Sequence, residues 1–162
     1  MKTLIVYASK YGCTEDCVHS LEKALHGDVT ICSAKDKIPS IEQFDTVLIG
    51  GSIYMNAIQK SVKHFCNRNL QALLRKRIGL FICCYTPAGT EGYIDTFFPK
   101  ELLSHAACKS VLGGEMRYDT MNILYRKLFQ SLKKIDGFRQ GFQEPHINNL
   151  EIEHFAAVME KR

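Results

Sequence analysis

Two hydroxyl side chains and a glycine near the amino terminus have the types and spacing that suit a phosphate group. Ser9, Gly12 and Thr14 follow a short apolar run of strand composition at residues 2–7, and an acidic segment with helical periodicity comes next. A strand, a short loop and a helix start in this order expose backbone N–H groups at the positive end of a helix dipole, which attracts an anion. The segment therefore predicts a phosphate-binding loop, and a strand-to-helix turn without a ligand is the alternative.

This loop differs from two widespread phosphate-binding motifs. It lacks the Gly-Lys-Ser/Thr ending of a nucleoside-triphosphate P-loop and the GxGxxG of dinucleotide-binding proteins. The pattern Ser9-x-x-Gly12-x-Thr14 after an N-terminal strand resembles the FMN-phosphate loop of flavodoxins, with Tyr11 where flavodoxins usually carry threonine. The resemblance implies FMN as cofactor. The residues expected to hold its phosphate are Ser9, Lys10, Tyr11, Gly12, Cys13 and Thr14.

Short apolar runs and amphipathic stretches alternate along the chain. The runs that indicate strands lie at residues 2–7, 29–32, 47–49, 78–84 and 109–114. The fourth run is apolar on both faces, as a central strand of a parallel sheet requires. The alternation predicts an α/β fold with a doubly wound, five-stranded parallel sheet, and the flavodoxin resemblance adds the strand order 2-1-3-4-5. The 162 residues fit a single domain, 1–162, with an insertion at about 117–140.

In this fold, the loops after strands three and four lie at the same sheet edge as the phosphate loop. Both are rich in glycine and small side chains, contain tyrosines and carry few charges, which allows them to approach and cover a flat ring. The residues expected to bind the flavin ring are Gly51, Ser52, Ile53 and Tyr54 after strand three, and Cys84, Tyr85, Thr86, Pro87, Ala88, Gly89, Gly92 and Tyr93 after strand four.

About thirty residues separate strand five from the last helix, whereas simple flavodoxins connect the two fairly directly. Apolar and basic residues between Met121 and Ile135 fall on opposite faces of a helix. The apolar face holds Met121, Leu124, Tyr125, Leu128, Leu132 and Ile135, and the basic face holds Arg126, Lys127, Lys133 and Lys134. The pattern predicts an extra amphipathic helix after strand five. Its partner can be its own domain, an anionic membrane surface or an acidic protein.

The formal net charge of +4 lies entirely within residues 109–139. Simple electron-carrier flavodoxins are typically acidic, so this chain departs from that type. The charge is modest and no recognition motif accompanies it, so nucleic acid is not expected as a partner. The chain contains no apolar run of the roughly 20 residues that span a bilayer and no signal-peptide pattern. We therefore expect a cytoplasmic protein, with the extra helix able to contact the inner face of the cell membrane.

Seven cysteines and six histidines are the remaining side chains with reactive chemistry. The odd cysteine count and the absence of a leader favour reduced thiols, and no spacing matches a metal site. Cys13 stands at a predicted helix N-terminus, where the helix dipole can lower a thiol pKa. The histidines are scattered, so we assign no catalytic residue.

Two further segments resemble one branch of the flavodoxin-domain family. They are Gly51-Ser52-Ile53 and residues 112–118, which precede the basic helix. This branch contains the menaquinone-dependent protoporphyrinogen dehydrogenases, in which FMN takes electrons from protoporphyrinogen IX and passes them to a quinone. The resemblance implies such an oxidoreductase. Arg117 and Tyr118 follow strand five near the predicted ligand edge, where they are placed to meet a porphyrin propionate or a carboxylate of a partner protein. An electron carrier that docks on redox partner proteins is the alternative, and a flavin-storage module is a third class.

Overall fold

The structure, a computed structural model, describes residues 1–84, 92–142 and 144–161. Its centre is a parallel sheet with the strand order β2-β1-β3-β5-β6. The strands are β1 (Lys2–Ala8), β2 (Asp28–Ser33), β3 (Thr46–Tyr54), β4 (Ala57–Ile58), β5 (Arg77–Cys83) and β6 (Cys108–Val111). β4 pairs antiparallel with β3 only, so the five parallel strands confirm the predicted order 2-1-3-4-5.

Helices cover both faces of this sheet, as a doubly wound fold requires. The helices are α1 (Cys13–Ala24), α2 (Lys60–Leu73), α3 (Lys100–His105), α4 (Ile123–Leu132), α5 (Asp136–Gly141) and α6 (Asn149–Glu160). α1 and α6 pack on one face, while α2 and α3 pack on the other. Short 3-10 turns lie at Ile41–Gln43 and Tyr93–Thr96.

The two hydrophobic cores follow from the two-residue period of the strands. Along β5, Leu80 and Ile82 face α2 and α3, whereas Phe81 faces α1 and α6. All three side chains are fully buried, which explains why the run is apolar at every position. Gly79, in the same strand, lets α6 approach the sheet closely. A Cβ there would stand 2.8 Å from the ring of Phe155.

The third strand is longer than its sequence suggests. The apolar run predicted a strand over 47–49 and a loop from Gly50, but β3 continues to Tyr54 and turns back into β4. Met55 and Asn56 form the turn with positive φ angles of 48° and 58°. Because β3 lies between β1 and β5, its backbone keeps pairing through Gly51 and Ser52. The predicted loop is therefore mostly a hairpin.

The insertion, defined here as residues 117–142, contains two helices where the sequence predicted one. α4 ends at Leu132, and the short helix α5 follows. Three residues of the predicted apolar face, Leu124, Leu128 and Ile135, are more than half exposed, so this face does not pack fully on the domain. Phe129, which was not assigned to that face, packs inward with neighbouring aromatic rings and sets the rotation of α4.

Within the described residues, no helix combines the length and the apolar character that crossing a bilayer would need.

Candidate functional site

The phosphate loop, residues 9–14, connects β1 to the first turn of α1. Gly12 caps the helix with a left-handed backbone (φ 91°) that an L side chain rarely adopts. Its N–H donates to Ser9 Oγ at 2.9 Å, so the loop is folded tightly onto itself. No side chain caps the helix start. The first N–H groups of α1 are therefore left for another acceptor, as an anion site requires.

Thr14 supplies a test of whether a phosphate fits this loop. The residue is fully buried, and among the described residues its Oγ1 has no hydrogen-bond partner. An unpaired buried hydroxyl costs free energy, so such an atom usually marks a missing partner. A phosphate oxygen at the start of α1 would be that partner. The side chain and the helix start therefore fit the phosphate of FMN.

The hairpin of β3 and β4 forms the second part of the site. Ser52, Ile53 and Tyr54 line a cavity beside the phosphate loop, whereas Gly51 sits within the strand. Tyr54 meets the edge of Tyr11 at 6.1 Å between ring centroids. Lys10 Nζ lies 3.0 Å from the centroid of the Tyr54 ring, a cation–π contact. The structure thus brings the first two predicted loops together.

The loop after β5 was predicted to contribute most to the ring site. Its residues Tyr85, Thr86, Pro87, Ala88 and Gly89 lie outside the described residues.

The residues that flank this loop are described. Cys84, at its start, lines the cavity. Gly92 and Tyr93, at its far end, stand beside the β3–β4 hairpin, where Tyr93 Oη donates to Asn56 Oδ1 at 2.7 Å. These two are therefore near the site but outside the described lining of the cavity.

The cavity has a volume of about 380 Å³, within the range of small-molecule sites. One side is built by residues of the phosphate loop, the hairpin and the end of β5. The other side, which we name the apolar wall, comes from the insertion and the segment after it. It consists of Met121, Phe129, Leu132, Phe138, Phe142 and Pro145. Sequence reasoning placed Met121 and Leu132 on the apolar face of one helix but missed the three phenylalanines. These residues lie in and after two separate helices, so their spacing does not follow the period of one helix.

Lys133 joins the apolar wall to the start of the insertion. Its Nζ lies 5.0–5.3 Å from three ring centroids, donates to Tyr118 Oη at 3.0 Å and pairs with Glu144 at 3.4 Å. Tyr118 Oη donates in turn to Glu144 Oε1 at 2.7 Å. The hydrogen bond from Tyr118 and the charge of Lys133 lower the pKa of the Glu144 carboxyl. Lys133, which the sequence placed on the basic face opposite the apolar one, therefore contacts the aromatic rings of the apolar wall.

Arg117 and Tyr118, both predicted to meet substrate, point to different places. Arg117 turns to the phosphate loop, where Nη1 lies 3.4 Å from the Tyr11 carbonyl oxygen. It also forms ion pairs with Asp16 and Glu115. Tyr118 turns instead to Lys133 and Glu144. Glu115 and Arg117 line the cavity, and Tyr118 stands behind its described lining.

The helix dipole can lower a thiol pKa, but it does not lower that of Cys13. A hydrogen bond with Cys17 and burial raise the pKa of Cys13, and these effects outweigh the helix dipole. All seven cysteines lie within the described residues, and none of them forms a disulfide bond there. The described residues contain no group of histidine, cysteine or carboxylate side chains that could hold a metal ion.

The family to which this chain belongs follows from its sequence together with this architecture. Residues 4–140 match the model of the flavodoxin domain family, which covers most of the chain. The chain therefore belongs to that family. No curated protein matches it.

Solved structures agree with this assignment at the level of the fold. A short-chain flavodoxin associated with a non-canonical PDU bacterial microcompartment is similar with a TM-score of 0.62 and 16% identity over 98% of this chain and 96% of its own. A Streptococcus pneumoniae TIGR4 flavodoxin has a TM-score of 0.56 and 13% identity over 98% of this chain and 97% of its own. A flavodoxin from the domain Archaea has a TM-score of 0.55 and 13% identity over 99% of this chain and 100% of its own.

Membership of the flavodoxin domain family confirms FMN as the cofactor that the sequence resemblance implied. The phosphate loop and its unpaired Thr14 hydroxyl fit that cofactor. The chain is thus an FMN-binding flavoprotein of the flavodoxin type, and proteins of this type dock on redox partners.

Proposed function

We propose that this protein is an FMN-dependent oxidoreductase that oxidises a hydrophobic donor of the protoporphyrinogen IX type and passes the electrons to a quinone. The observation that carries the proposal is the apolar wall, because it places six apolar side chains opposite the flavodoxin loops in one cavity. A protein that only passes electrons to a docked partner does not need an inserted apolar surface of this kind beside its cofactor loops.

The residues of the flavodoxin loops are assigned to the cofactor in this proposal. Ser9, Gly12 and Thr14 bind the phosphate together with the N–H groups at the start of α1. Ser52, Ile53 and Tyr54 bind the ring, and Lys10 stiffens Tyr54 through its cation–π contact. FMN, when bound, supplies the redox chemistry, and the protein supplies orientation and a surrounding from which water is excluded.

The apolar wall is assigned to the donor. Phe129 packs edge-on against Phe138 and Phe142, with ring centroids 5.7 and 5.1 Å away, so the wall is a connected aromatic cluster. Apolar molecules are stabilised by packing against such rings, because their surface is removed from water. The apolar wall itself carries no titratable side chain, so its residues position a donor rather than exchange protons with it.

The exposed face of α4 supports delivery from a membrane surface, where quinones are found. Ile123, Leu124 and Leu128 are 54–72% exposed, and the cation Lys127 is exposed among them. The sequence from 120 to 135 contains no acidic residue. Exposed apolar side chains interspersed with cations are typical of helices that lie on anionic lipid. We assign an anionic lipid surface as the partner of this face.

The activity is tested by anaerobic oxidation of protoporphyrinogen IX with FMN-loaded protein, in the presence and absence of a menaquinone analogue. Porphyrin fluorescence reports the product. We expect porphyrin formation that depends on the quinone. A protein that holds FMN but forms no porphyrin under either condition contradicts the proposed activity.

Membrane contact is tested separately by sedimentation with vesicles of neutral lipid and of neutral lipid mixed with anionic lipid. We expect binding to the anionic vesicles that Leu128→Ser weakens. Leu150→Ser is the matched control, because Leu150 is 78% exposed on α6, away from the insertion. Equal binding by both variants, or none by the wild type, contradicts the assignment and favours an acidic protein partner.

A one-electron carrier without a substrate of its own is the second candidate. Membership of the flavodoxin domain family favours it, since a carrier needs only the cofactor and a docking surface. It predicts electron transfer to a partner flavoprotein or haem protein, and no quinone-dependent porphyrin formation.

A further inference from the structure

Arg117 occupies a position that the sequence did not foresee. It follows β6 by six residues and begins the insertion, yet its guanidinium lies against the phosphate loop near the amino terminus. A Cβ added to Gly12 would stand 2.5 Å from Arg117 Nη1. The guanidinium therefore covers the loop at the glycine that caps α1.

The charges around the phosphate loop indicate what Arg117 does there. Asp16 and Glu115 flank the loop, and both pair with Arg117. Lys10, the other cation of the described lining, lies over the Tyr54 ring. A dianionic phosphate that enters between two carboxylates is repelled unless a cation compensates them. Arg117 is the described side chain that is placed to do so.

We propose that Arg117 is the counter-charge for the phosphate of FMN, a role that replaces its predicted contact with a porphyrin propionate. An arginine has five N–H donors in a planar fork, so it can keep Glu115 through Nε while its Nη groups turn to an anion. Asp16 holds the guanidinium over the loop until the phosphate arrives. The inference rests on FMN as the cofactor, but not on the identity of the electron donor.

The backbone of Arg117 extends this role to the insertion. Its carbonyl oxygen accepts hydrogen bonds from the N–H groups of Thr120 and Met121 at 3.2 and 3.0 Å. Met121 belongs to the apolar wall. A phosphate that fixes the Arg117 side chain therefore also fixes the first turn of the insertion. Occupancy of the cofactor site and order of the donor site are thereby linked.

The first test compares the affinities of the apoprotein for FMN and for riboflavin, which lacks the phosphate, by titration of flavin fluorescence. We expect Arg117→Met to weaken FMN binding by about 10- to 100-fold, the effect of losing a charge-assisted hydrogen bond, and to leave riboflavin binding within about twofold. Arg117→Lys should restore part of the loss, since it keeps the charge without the fork. Circular dichroism and the melting temperature of the apoprotein verify that each variant folds.

Arg139→Met is the matched control for net charge, because Arg139 is 70% exposed on α5 and pairs only locally with Asp136. It should leave FMN affinity unchanged. Equal losses for FMN and riboflavin in Arg117→Met, or an equal loss in Arg139→Met, would overturn the proposal. These outcomes concern cofactor affinity alone, so they are distinguishable from a failure of porphyrin formation in FMN-loaded protein.

The link to the insertion has its own readout in hydrogen–deuterium exchange of residues 120–132. We expect FMN, but not riboflavin at equal saturation, to slow exchange there in the wild type, and expect the difference to disappear in Arg117→Met. Equal protection by both flavins in the wild type would show that the phosphate does not act through Arg117 on the insertion.

Discussion

The two sides of the cavity are built by regions of very different character. The phosphate loop and the hairpin extend from β1 and β3, whose central residues are fully buried. The insertion contributes the opposite side from α4, a helix without a single buried residue. The first side is held by the sheet and the second by a few aromatic and ionic contacts at the surface.

This difference separates what the fold supplies from what this chain adds. We assign the phosphate loop and the hairpin, at the carboxyl edge of the sheet, to the cofactor, and the core fixes the position of both. The insertion adds an apolar surface that a cofactor phosphate does not require. Segments with few buried contacts are also the ones that open first, so we expect the insertion to respond to ligands more than the sheet does.

The largest contrast should appear when the same substitution is made on both sides. Leu80 in β5 is fully buried, whereas Leu128 in α4 is 54% exposed. Leu80→Ala should lower the free energy of unfolding by about 2–5 kcal/mol, because it removes contacts and leaves a cavity. Leu128→Ala should change it by no more than about 0.5 kcal/mol. Urea unfolding followed by circular dichroism measures both, and similar losses would mean that the insertion belongs to the cooperative core.

The apolar wall should be separable from the cofactor site by a single substitution. Phe129→Ala removes the ring that contacts Tyr118, Phe138 and Phe142. We expect the KM for the hydrophobic donor to rise about tenfold or more, the effect of exposing one aromatic side chain's contact area. FMN affinity should stay within about twofold. Phe129→Leu, which keeps an apolar side chain, is the control. Its KM for the donor should lie between those of the wild type and Phe129→Ala.

The unpaired hydroxyl of Thr14 offers a change confined to the cofactor side. Thr14→Val keeps the shape of the side chain and removes Oγ1, so the apoprotein should be as stable as the wild type or more stable. FMN binding should weaken by about tenfold, the effect of one hydrogen bond to an anion, while riboflavin binding should not change. Isothermal titration calorimetry measures both affinities. A destabilised apoprotein would mean that the hydroxyl already has a partner.

The smallest expected effect concerns the pH dependence of the insertion. Tyr118 and Lys133 lower the pKa of Glu144 in the folded protein. The stabilisation is therefore fully present above the ordinary glutamate pKa, about 4.3, and is lost as the pH falls through the lower folded value. Glu144→Gln should reduce stability by about 0.2–1 kcal/mol at pH 7, and the difference should shrink towards pH 3. Thermal melts across this range test it, with Glu153→Gln on α6 as control.

Sequence reasoning predicted the sheet side of the site better than the insertion side. The strands and the strand-to-helix loop after β1 followed from local patterns, because buried strands and a glycine before a helix start leave clear signals in the sequence. The strand order came from the flavodoxin resemblance. The length of β3 was missed, since Gly50 and Gly51 were taken as a loop although they pair with both neighbouring strands.

The insertion was harder to predict because its contacts join residues far apart in the sequence. Periodicity predicted an apolar face, but Phe129 decides the rotation of α4 through rings in α5 and beyond. Arg117 was predicted to meet substrate, and its ion-pair partner Asp16 lies 101 residues away in the sequence. No local pattern could have joined them.

The central claim is that the flavodoxin loops hold FMN while the insertion receives the donor. Its most direct test is quinone-dependent porphyrin formation by the wild type and Phe129→Ala at equal FMN occupancy, measured anaerobically by porphyrin fluorescence. We predict turnover in the wild type that requires the menaquinone analogue and is reduced at subsaturating donor in the variant. Equal turnover in both proteins would contradict the role of the insertion, and no turnover in FMN-loaded wild type would contradict the enzyme assignment itself.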